Sequence, residues 1–521
     1  MKRTFWYLSQ IMILLLVSFT VSAQQQGSIT GGLNGEITDS TGAILPGATV
    51  TLAGPQGTKV LTTDNLGRFS ATGLTPGFYD VTVEKSGFKK VQSKHNEVVV
   101  NSSSTLNLTL QTGSVSETVE VTAEAVAIDT QNTAVTTNLT DQFYNSVPMP
   151  RNVSAIFYAA PGVAQGQVAG SANQIGPGAS NPSIGGASAL ENLYVVDGVT
   201  ITDQAFGSIG TYNRYKGSLG TGINLAFIKE VDVKTTAFEP QYGKATGGIV
   251  QIVTKSGSNN FHGAIGAYFQ PRGFFASRYQ FYQFGYLQTA PSQTLSQPQY
   301  DLAAELGGYI LKDKLFFFGA FDPALNQSIA LANPRSLVTF AHGPYDYNTT
   351  GLSWAGKLTY KFGPVTTFEA STFADPSKRN VNPNTLATNI PLSASSSYHY
   401  GSRDSVARVT TAITSTWTAD ASYSYNYNHF NEYLLQNNYG ITDASGQILK
   451  IANVTTGFGA YEPSKNNTWS IAANTSKTFS FFGQHTFSVG YSYDHTNFLD
   501  EPSRSGPHSA TSRRACSTSA I

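Results

Sequence analysis

Asn192–Gln204 reads NLYVVDGVTITDQ, and Phe227–Gly257 reads FIKEVDVKTTAFEPQYGKATGGIVQIVTKSG, with a Gly/Tyr-rich loop between them. The apolar runs Leu193–Val196, Val231–Val233 and Gly248–Val253 have the length of strands, and Asp197-Gly198 is a dipeptide that closes a turn. Gly243, Gly247 and Gly248 mark close approaches of one backbone to another. An alternating aromatic stretch, Phe261 to Phe269, follows at once. A small glycine-punctuated β unit therefore feeds directly into long amphipathic strands.

Working outward, the chain has 521 residues, 12% of them charged, with a formal net charge of zero. That balance supplies no electrostatic reason for a nucleic-acid partner. The 27 Tyr, 31 Phe and 49 Gly suit β structure, and membrane barrels carry aromatic girdles at both interfaces. Cys516 is the single cysteine, so no intrachain disulfide and no cysteine-based metal site is available.

Lys2 and Arg3, the apolar run Ile11–Val21 and the small residues Val21-Ser22-Ala23 read as an export signal over residues 1–23, with the mature chain starting near Gln24. The alternative is an uncleaved anchor, but the run is short for a span of about 20 apolar residues. No later stretch approaches a transmembrane helix. An exported chain that lives in a membrane must then be a barrel, because only helices and closed barrels satisfy their backbone there.

Residues 24–112 alternate apolar and polar over short runs: Thr49–Leu52, Tyr79–Val83, Val98–Val100, and Leu106, Leu108 and Leu110 on one face. Turn signals at Asp39–Gly42, Pro46-Gly47, Asp64–Gly67 and Pro76-Gly77 separate them, which predicts a β-sandwich. The stretches GEITDSTGAILPGATVTL and TTDNLGRFSATGLTPGFYDVTVEKSGFKK resemble the carboxypeptidase regulatory-like domain. The matching positions include Gly35, Asp39, Gly42, Gly47, Asp64, Gly67, Phe69, Leu74, Gly77 and Tyr79. The resemblance implies a transthyretin-like sandwich related in shape to starch-binding domains. Its glycines are expected at positive-φ turns, and Phe69, Leu74 and Tyr79 in the core.

Residues 113–130 form a linker. Within it Glu117-Thr118-Val119-Glu120-Val121-Thr122 resembles the TonB box of energised outer-membrane receptors. Such a segment works by strand addition to a partner's sheet; a last strand of the preceding sandwich is the other reading.

Residues 131–257 resemble a plug domain of TonB-dependent receptors of the Oar-like group, on Val147–Asn152, Ala159–Val163 and the Asn192–Gly257 pattern. Arg151-Asn152, Asp197-Gly198, Gly243, Gly247 and Gly248 are the plug motif; Pro150 stands where that group usually has glycine. The Gly/Ala/Ser/Asn-rich segment from Gln165 to Ala187 is expected to face solute.

Residues 258–498 break into alternating segments of about ten residues. In His485–Tyr493, Phe487, Val489, Tyr491 and Tyr493 share one face, and Thr486, Ser488, Gly490 and Ser492 the other. Nine or ten strands fit, whereas plugged transporters have roughly 22. Residues 499–521 turn basic and Ser-rich and lose alternation, predicting a disordered tail, a truncated product and an open sheet.

Enzyme signatures fail. His429-Phe430-Asn431-Glu432 has ligand spacing for a helix but lies in a strand pattern. Tyr242–Thr246 lacks the phosphate-loop spacing, and no G-x-S-x-G occurs. The fold class is mainly β: sandwich, mixed α/β plug, and incomplete antiparallel barrel. The resemblance implies a non-enzymatic outer-membrane receptor with no cofactor. Its partners would be a TonB-like energy transducer, outer-membrane lipid and a bulky solute, with carbohydrate favoured by the sandwich's likeness. A membrane-anchored carbohydrate-binding or adhesion protein is the alternative.

Overall fold

The computed structural model describes residues 29–113, 118–121, 135–149, 151–166, 181–213, 217–238, 242, 245–274, 280–283, 286–289, 294–296, 298–330, 345–363, 365–382, 396–414, 416–434, 460–480, 484–501, 503–504 and 514–520. The proposed export signal lies outside them.

The first unit is the expected sandwich. Its strands are β1 (Gly31–Asp39), β2 (Thr49–Gly54), β3 (Gly57–Thr62), β4 (Arg68–Leu74), β5 (Gly77–Glu84), β6 (Lys90–Val98), β7 (Ser103–Thr105), β8 (Leu108–Leu110) and β9 (Thr118–Val121). One sheet runs β4-β1-β7 with β8 also on β1; the other runs β3-β2-β5-β6-β9. Alternation puts Val50, Leu52, Val81 and Val83 of one sheet against Leu33, Ile37, Phe69 and Ala71 of the other. Phe69, Leu74 and Tyr79 are buried in that core, as the resemblance implies. Gly42 and Gly67 do sit at positive φ, +83° and +70°. Gly35 does not. It lies within β1, where a Cβ would stand 1.8 Å from the Leu106 carbonyl oxygen, so close approach rather than turn geometry demands glycine there.

The second unit contains β10 (Val135–Thr140), the short helices α1 (Asp141–Ser146) and α2 (Val153–Phe157), then β11 (Val163–Gln165), β12 (Pro182–Ile184), β13 (Leu193–Val196), β14 (Val199–Thr200), β15 (Tyr212–Asn213), β16 (Gly217–Ser218), β17 (Ile228–Thr236) and β18 (Ile249–Thr254). The main sheet runs β10-β17-β18-β13-β14. Both β17 and β18 are buried on two faces. One face carries Val231, Val233, Val250 and Ile252 into the core with α2; the other carries Glu230, Asp232 and Gln251. The period-two pattern thus makes one greasy and one polar face, and both are covered.

The third unit is a large antiparallel sheet of β19 (His262–Gln270), β22 (Thr294–Ser296), β23 (Gln299–Leu311), β24 (Leu315–Ala330), β25 (Tyr345–Phe362), β26 (Thr366–Ala374), β27 (Ser377–Asn382), β28 (Ser396–Thr414), β29 (Trp417–Leu434), β30 (Ala460–Ser480), β31 (Gln484–Asp500), β32 (Ser503–Arg504) and β33 (Arg514–Ala520), while β20 (Gln280–Gln283) and β21 (Tyr286–Thr289) pair with each other in a ribbon of their own. The path is β19-β23-β24-β25-β26-β28-β29-β30-β31-β33, and β19 and β33 are not paired to each other among the described residues. The sheet is open. The tail differs from expectation: Arg514–Ala520 lies antiparallel to β31, from Leu499↔Arg514 to Tyr493↔Ala520. Backbone pairing to an open edge needs no side-chain alternation, which is why composition missed it.

Along these strands apolar side chains point out and polar ones in. Leu302, Leu306 and Ile310 are exposed on β23, as are Phe487, Val489 and Tyr491 on β31. Ser402, Asp404 and Arg408 of β28 and Ser422, Ser424, Asn426 and Asn428 of β29 are buried on the inner face. That is the dyad of a lipid-facing barrel wall. His429 and Glu432 fall on opposite faces of β29 by the same alternation.

Candidate functional site

The second unit sits against the inner face of the wall, and the contact begins in apolar packing. Phe318 and Ala320 of β24 and Phe373 of β26 belong to the same core as Ile156, Phe157 and Phe227. Polar locks surround that packing.

The tightest lock is Asp197-Gly198. Both residues adopt positive φ, +47° and +77°, and close the β13–β14 hairpin. Asp197 is buried; Oδ1 accepts the Thr254 N–H at 2.9 Å and Oδ2 accepts the Thr254 hydroxyl at 2.7 Å. From the wall, Lys357 Nζ reaches Asp197 Oδ1 at 3.3 Å and the Thr254 hydroxyl at 3.3 Å. Glu369 Oε1 stands 4.0 Å from the same ammonium. Arg408 Nη2 donates to the Gly198 carbonyl at 2.9 Å, and a Cβ on Gly198 would lie 2.0 Å from that nitrogen. Burial alone would raise Asp197, but the Lys357 ammonium and both Thr254 donors outweigh it and hold the carboxyl below its ordinary value.

A second lock lies further along the wall. Asp375 accepts the Gly222 N–H at 2.9 Å and the Ser402 N–H at 2.7 Å. Asn466 Nδ2 donates to Asp203 Oδ1 at 2.9 Å, an oxygen that also accepts from Ala205 N–H and Phe206 N–H. Burial pushes Asp203 up to about 6 against those donors. Lys255 and Glu305 close a third contact at 2.6 Å.

The other expected motif residues are partly gathered here. Asn152 caps α2, its side chain accepting the Ala155 N–H at 2.8 Å. Arg151 leaves the cap for the wall: its Nε donates to Asp301 Oδ2 at 3.1 Å, and its guanidinium lies 3.4 Å from the Tyr268 ring centroid. Gly247 and Gly248 are close approaches, but to side chains rather than to another backbone first: Cβ atoms there would meet Asn192 Oδ1 at 2.4 Å and the Ile184 side chain at 2.1 Å. Gly243 lies outside the described residues, as do Glu117, Thr122 and residues 167–180 of the loop expected to face solute; the ends of that loop form the β11–β12 ribbon.

Arg151 also borders a cavity of about 920 Å³ between plug and wall. Tyr268, Phe269, Phe274, Tyr300 and Tyr400 supply rings, and Asn152, Asn224, Gln270, Gln299 and Asn326 supply amides. The lining wall residues lie at the strand ends away from the β23–β24 turn at 312–314. The sandwich docks at the opposite end. Gln56 Nε2 donates to the Gly257 carbonyl at 3.0 Å, the Asn259 N–H to the Pro55 carbonyl at 2.9 Å, and Lys361 Nζ to the Gln56 carbonyl at 2.6 Å. Its other turn touches the plug: the Val100 N–H donates to Glu230 Oε1 at 2.8 Å, and the Asn101 amide donates to Asp232 and Gln251. Glu230, buried beneath that turn, is raised to about 7 by desolvation. Barrel walls carry short turns on the periplasmic side and long loops outside. By that rule the sandwich is periplasmic and the cavity opens outward.

Comparison with known proteins agrees with each unit. Residues 32–111 match the carboxypeptidase regulatory-like domain, residues 129–249 the TonB-dependent receptor plug domain, and residues 253–333 an outer membrane beta barrel domain. The TonB-dependent transporter Oar of Myxococcus xanthus is 32% identical over 285 residues, covering 54% of this chain and 25% of that protein. Over those 285 residues the chain is similar to that transporter. It spans about a quarter of the length of that curated relative. The outer membrane transporter YddB of Escherichia coli superposes with a TM-score of 0.56 at 15% identity, covering 70% of this chain and 48% of that one, a likeness of fold. By name the first of these is a TonB-dependent transporter and the second an outer membrane transporter.

Sequence reasoning missed the wall's half of these contacts: Lys357, Glu369, Asp375, Arg408, Asp301, Glu305 and Asn466. The available signal was a charge or amide on the inward face of an alternating strand, as with Lys357 in WAGKLTY.

Proposed function

We propose that this chain serves TonB-dependent uptake of a bulky, neutral polar solute across the outer membrane, with carbohydrate as the class. The observation that carries the solute class is the outward cavity. Its rings offer flat apolar platforms and its amides offer paired donors and acceptors, while the charge of Arg151 is met by Asp301 at 3.1 Å. Such a lining suits hydroxyl-rich rings better than an anion. Glu117–Thr122 is the energy partner's contact, and Arg151-Asn152, Asp197-Gly198 and Gly243 to Gly248 hold the plug. Residues 1–23 direct export, and outward Leu, Ile and Phe side chains meet lipid. Docking of the sandwich on the short-turn side argues against the adhesion reading, which needs that domain at the cell surface.

The test is uptake of labelled maltoheptaose by cells, paired with binding to the purified protein. Tyr268→Ala is expected to weaken binding about fivefold, from a lost ring contact of about 1 kcal/mol. Val119→Pro removes a strand donor and is expected to abolish uptake while leaving binding intact. Uptake that persists in Val119→Pro removes the energised reading. A panel of neutral saccharides that neither binds nor enters removes the solute class.

A further inference from the structure

The lipid-facing side of the wall is not uniform. On β28, β29, β30 and β31 the odd-numbered residues point outward, as the exposed Val409, Tyr423, Ile471 and Phe487 show. Toward the short turns that face is apolar. Toward the long-loop end it carries Arg403 and Lys465, both exposed, with His399 and His429 half-buried beside them and the exposed Lys378 of β27 alongside. Ladder pairing gathers these groups. Lys378 stands opposite His399, and His429 stands opposite Gly401 on one side and Lys465 on the other. The titratable neighbours that act on His429 are His399, Lys465 and Arg403.

No carboxylate answers them on that face. Every Asp and Glu in β28 to β31 has an even number, which is the inward phase. Rings brace the cations instead. The Arg403 guanidinium lies 6.0 Å from the Tyr427 ring centroid, and Tyr427 stacks on His429 at 5.4 Å. His399 meets the Tyr433 ring edge-on at 5.0 Å, and Trp469 packs on Tyr493 at 5.3 Å and on His495 at 5.6 Å.

Strand geometry sets the height of the patch. Ile413, exposed near the short-turn end of β28, is ten residues from Arg403. Such a run rises about 33 Å along a strand, or about 25 Å along the barrel axis at a tilt of about 40°. The apolar band of a barrel has that same height. The cations therefore stand at its outer rim, level with headgroups rather than acyl chains, where a Lys or Arg on the lipid face is tolerated.

We propose that this patch binds the phosphate groups of an outer-leaflet lipid, with Arg403 and Lys465 as the direct contacts and Lys378 extending the site along the rim. A guanidinium takes a phosphate through two parallel N–H donors, and an ammonium takes it as a point charge. Arg403 and Lys465 lie two strands apart, about 10 Å across the sheet, a spacing that suits a headgroup with two phosphates. The partner is a lipid because the apolar band directly beneath the cations seats the acyl chains that bring the headgroup there. The inference rests on the reading of this sheet as a membrane wall.

The experiment places the full chain in phosphatidylcholine nanodiscs and titrates it with diphosphoryl lipid A or with the same lipid stripped of its phosphates. Native mass spectrometry counts the lipid bound. The unaltered chain is expected to prefer the phosphorylated form. Arg403→Gln with Lys465→Gln is expected to weaken that form about thirtyfold and to leave the stripped form unchanged. Arg403→Lys, which keeps the charge, is expected to retain most of the affinity. Lys477→Gln removes an outward cation at the short-turn end, 5.0 Å from the Trp417 ring, and is expected to change binding less than about twofold. Equal binding of the two lipid forms overturns the inference, as does full affinity in the double variant or an equal loss in Lys477→Gln. Complete competition by inorganic phosphate overturns the lipid as the source. A chain that does not enter the disc overturns the membrane-wall reading and the inference together, whereas entry without a preference overturns the inference alone.

Discussion

Asp197 shows how much one residue does here. Its position in a hairpin turn was legible, because Asp-Gly after an apolar strand is a strong turn signal. Its pairing with Lys357 was not, since 160 residues separate the two. Removing one partner of a buried pair leaves the other uncompensated, at a cost of about 3 kcal/mol or more. Lys357→Met should therefore lower the unfolding temperature and expose the plug to protease. Asp197→Asn in the same chain should cost less than the sum of the two single changes, by 1 kcal/mol or so; strict additivity would show that the two groups do not interact. Because the Asp197 carboxyl is held below its ordinary value, its stabilisation is present above about pH 4 and fades as pH falls further.

Elements were read well where a pattern repeats. Alternation placed β2, β5 and β31 and told their inner from their outer faces, because side-chain direction in a strand has a fixed period of two. Glycine was read less well, because it has two uses. Gly42 and Gly67 free the backbone, whereas Gly35 frees space for another strand's carbonyl. Gly35→Ala should displace β1 or the 106–107 segment and cost about 2 kcal/mol in denaturant unfolding, within the range for overpacking. A loss under about 0.5 kcal/mol would mean the approach relaxes freely. Edge pairing is harder to read: the pattern left β9 between a free segment and a last strand of the sandwich, and β33 joins its sheet through backbone bonds that composition does not encode.

Across the whole molecule, the three units are stacked rather than strung. The sandwich touches both plug and wall, and Glu230 lies under its Val100–Asn101 turn. A carboxyl raised from 4.5 to about 7 binds more protons folded than unfolded, so stability falls as pH climbs between those values and the loss is complete above them. The difference is about 3 kcal/mol. Glu230→Gln keeps an acceptor for the Val100 N–H and should flatten the thermal-stability profile between pH 4.5 and 7. A slope that survives unchanged would assign it to other groups, Asp203 among them.

The sequence by itself determined the order of the units and the strand faces, because turn residues and period-two alternation act over a few positions and survive in the linear text, and its motifs carry the resemblance to TonB-dependent receptors. Only the tertiary structure decided which charges meet across plug and wall, that the cavity lies outward of the plug, and that Thr118–Val121 is seated on β6. Those facts depend on contacts between segments far apart in the chain, and a charge on a strand's inner face does not announce its partner until the sheet has curved around it.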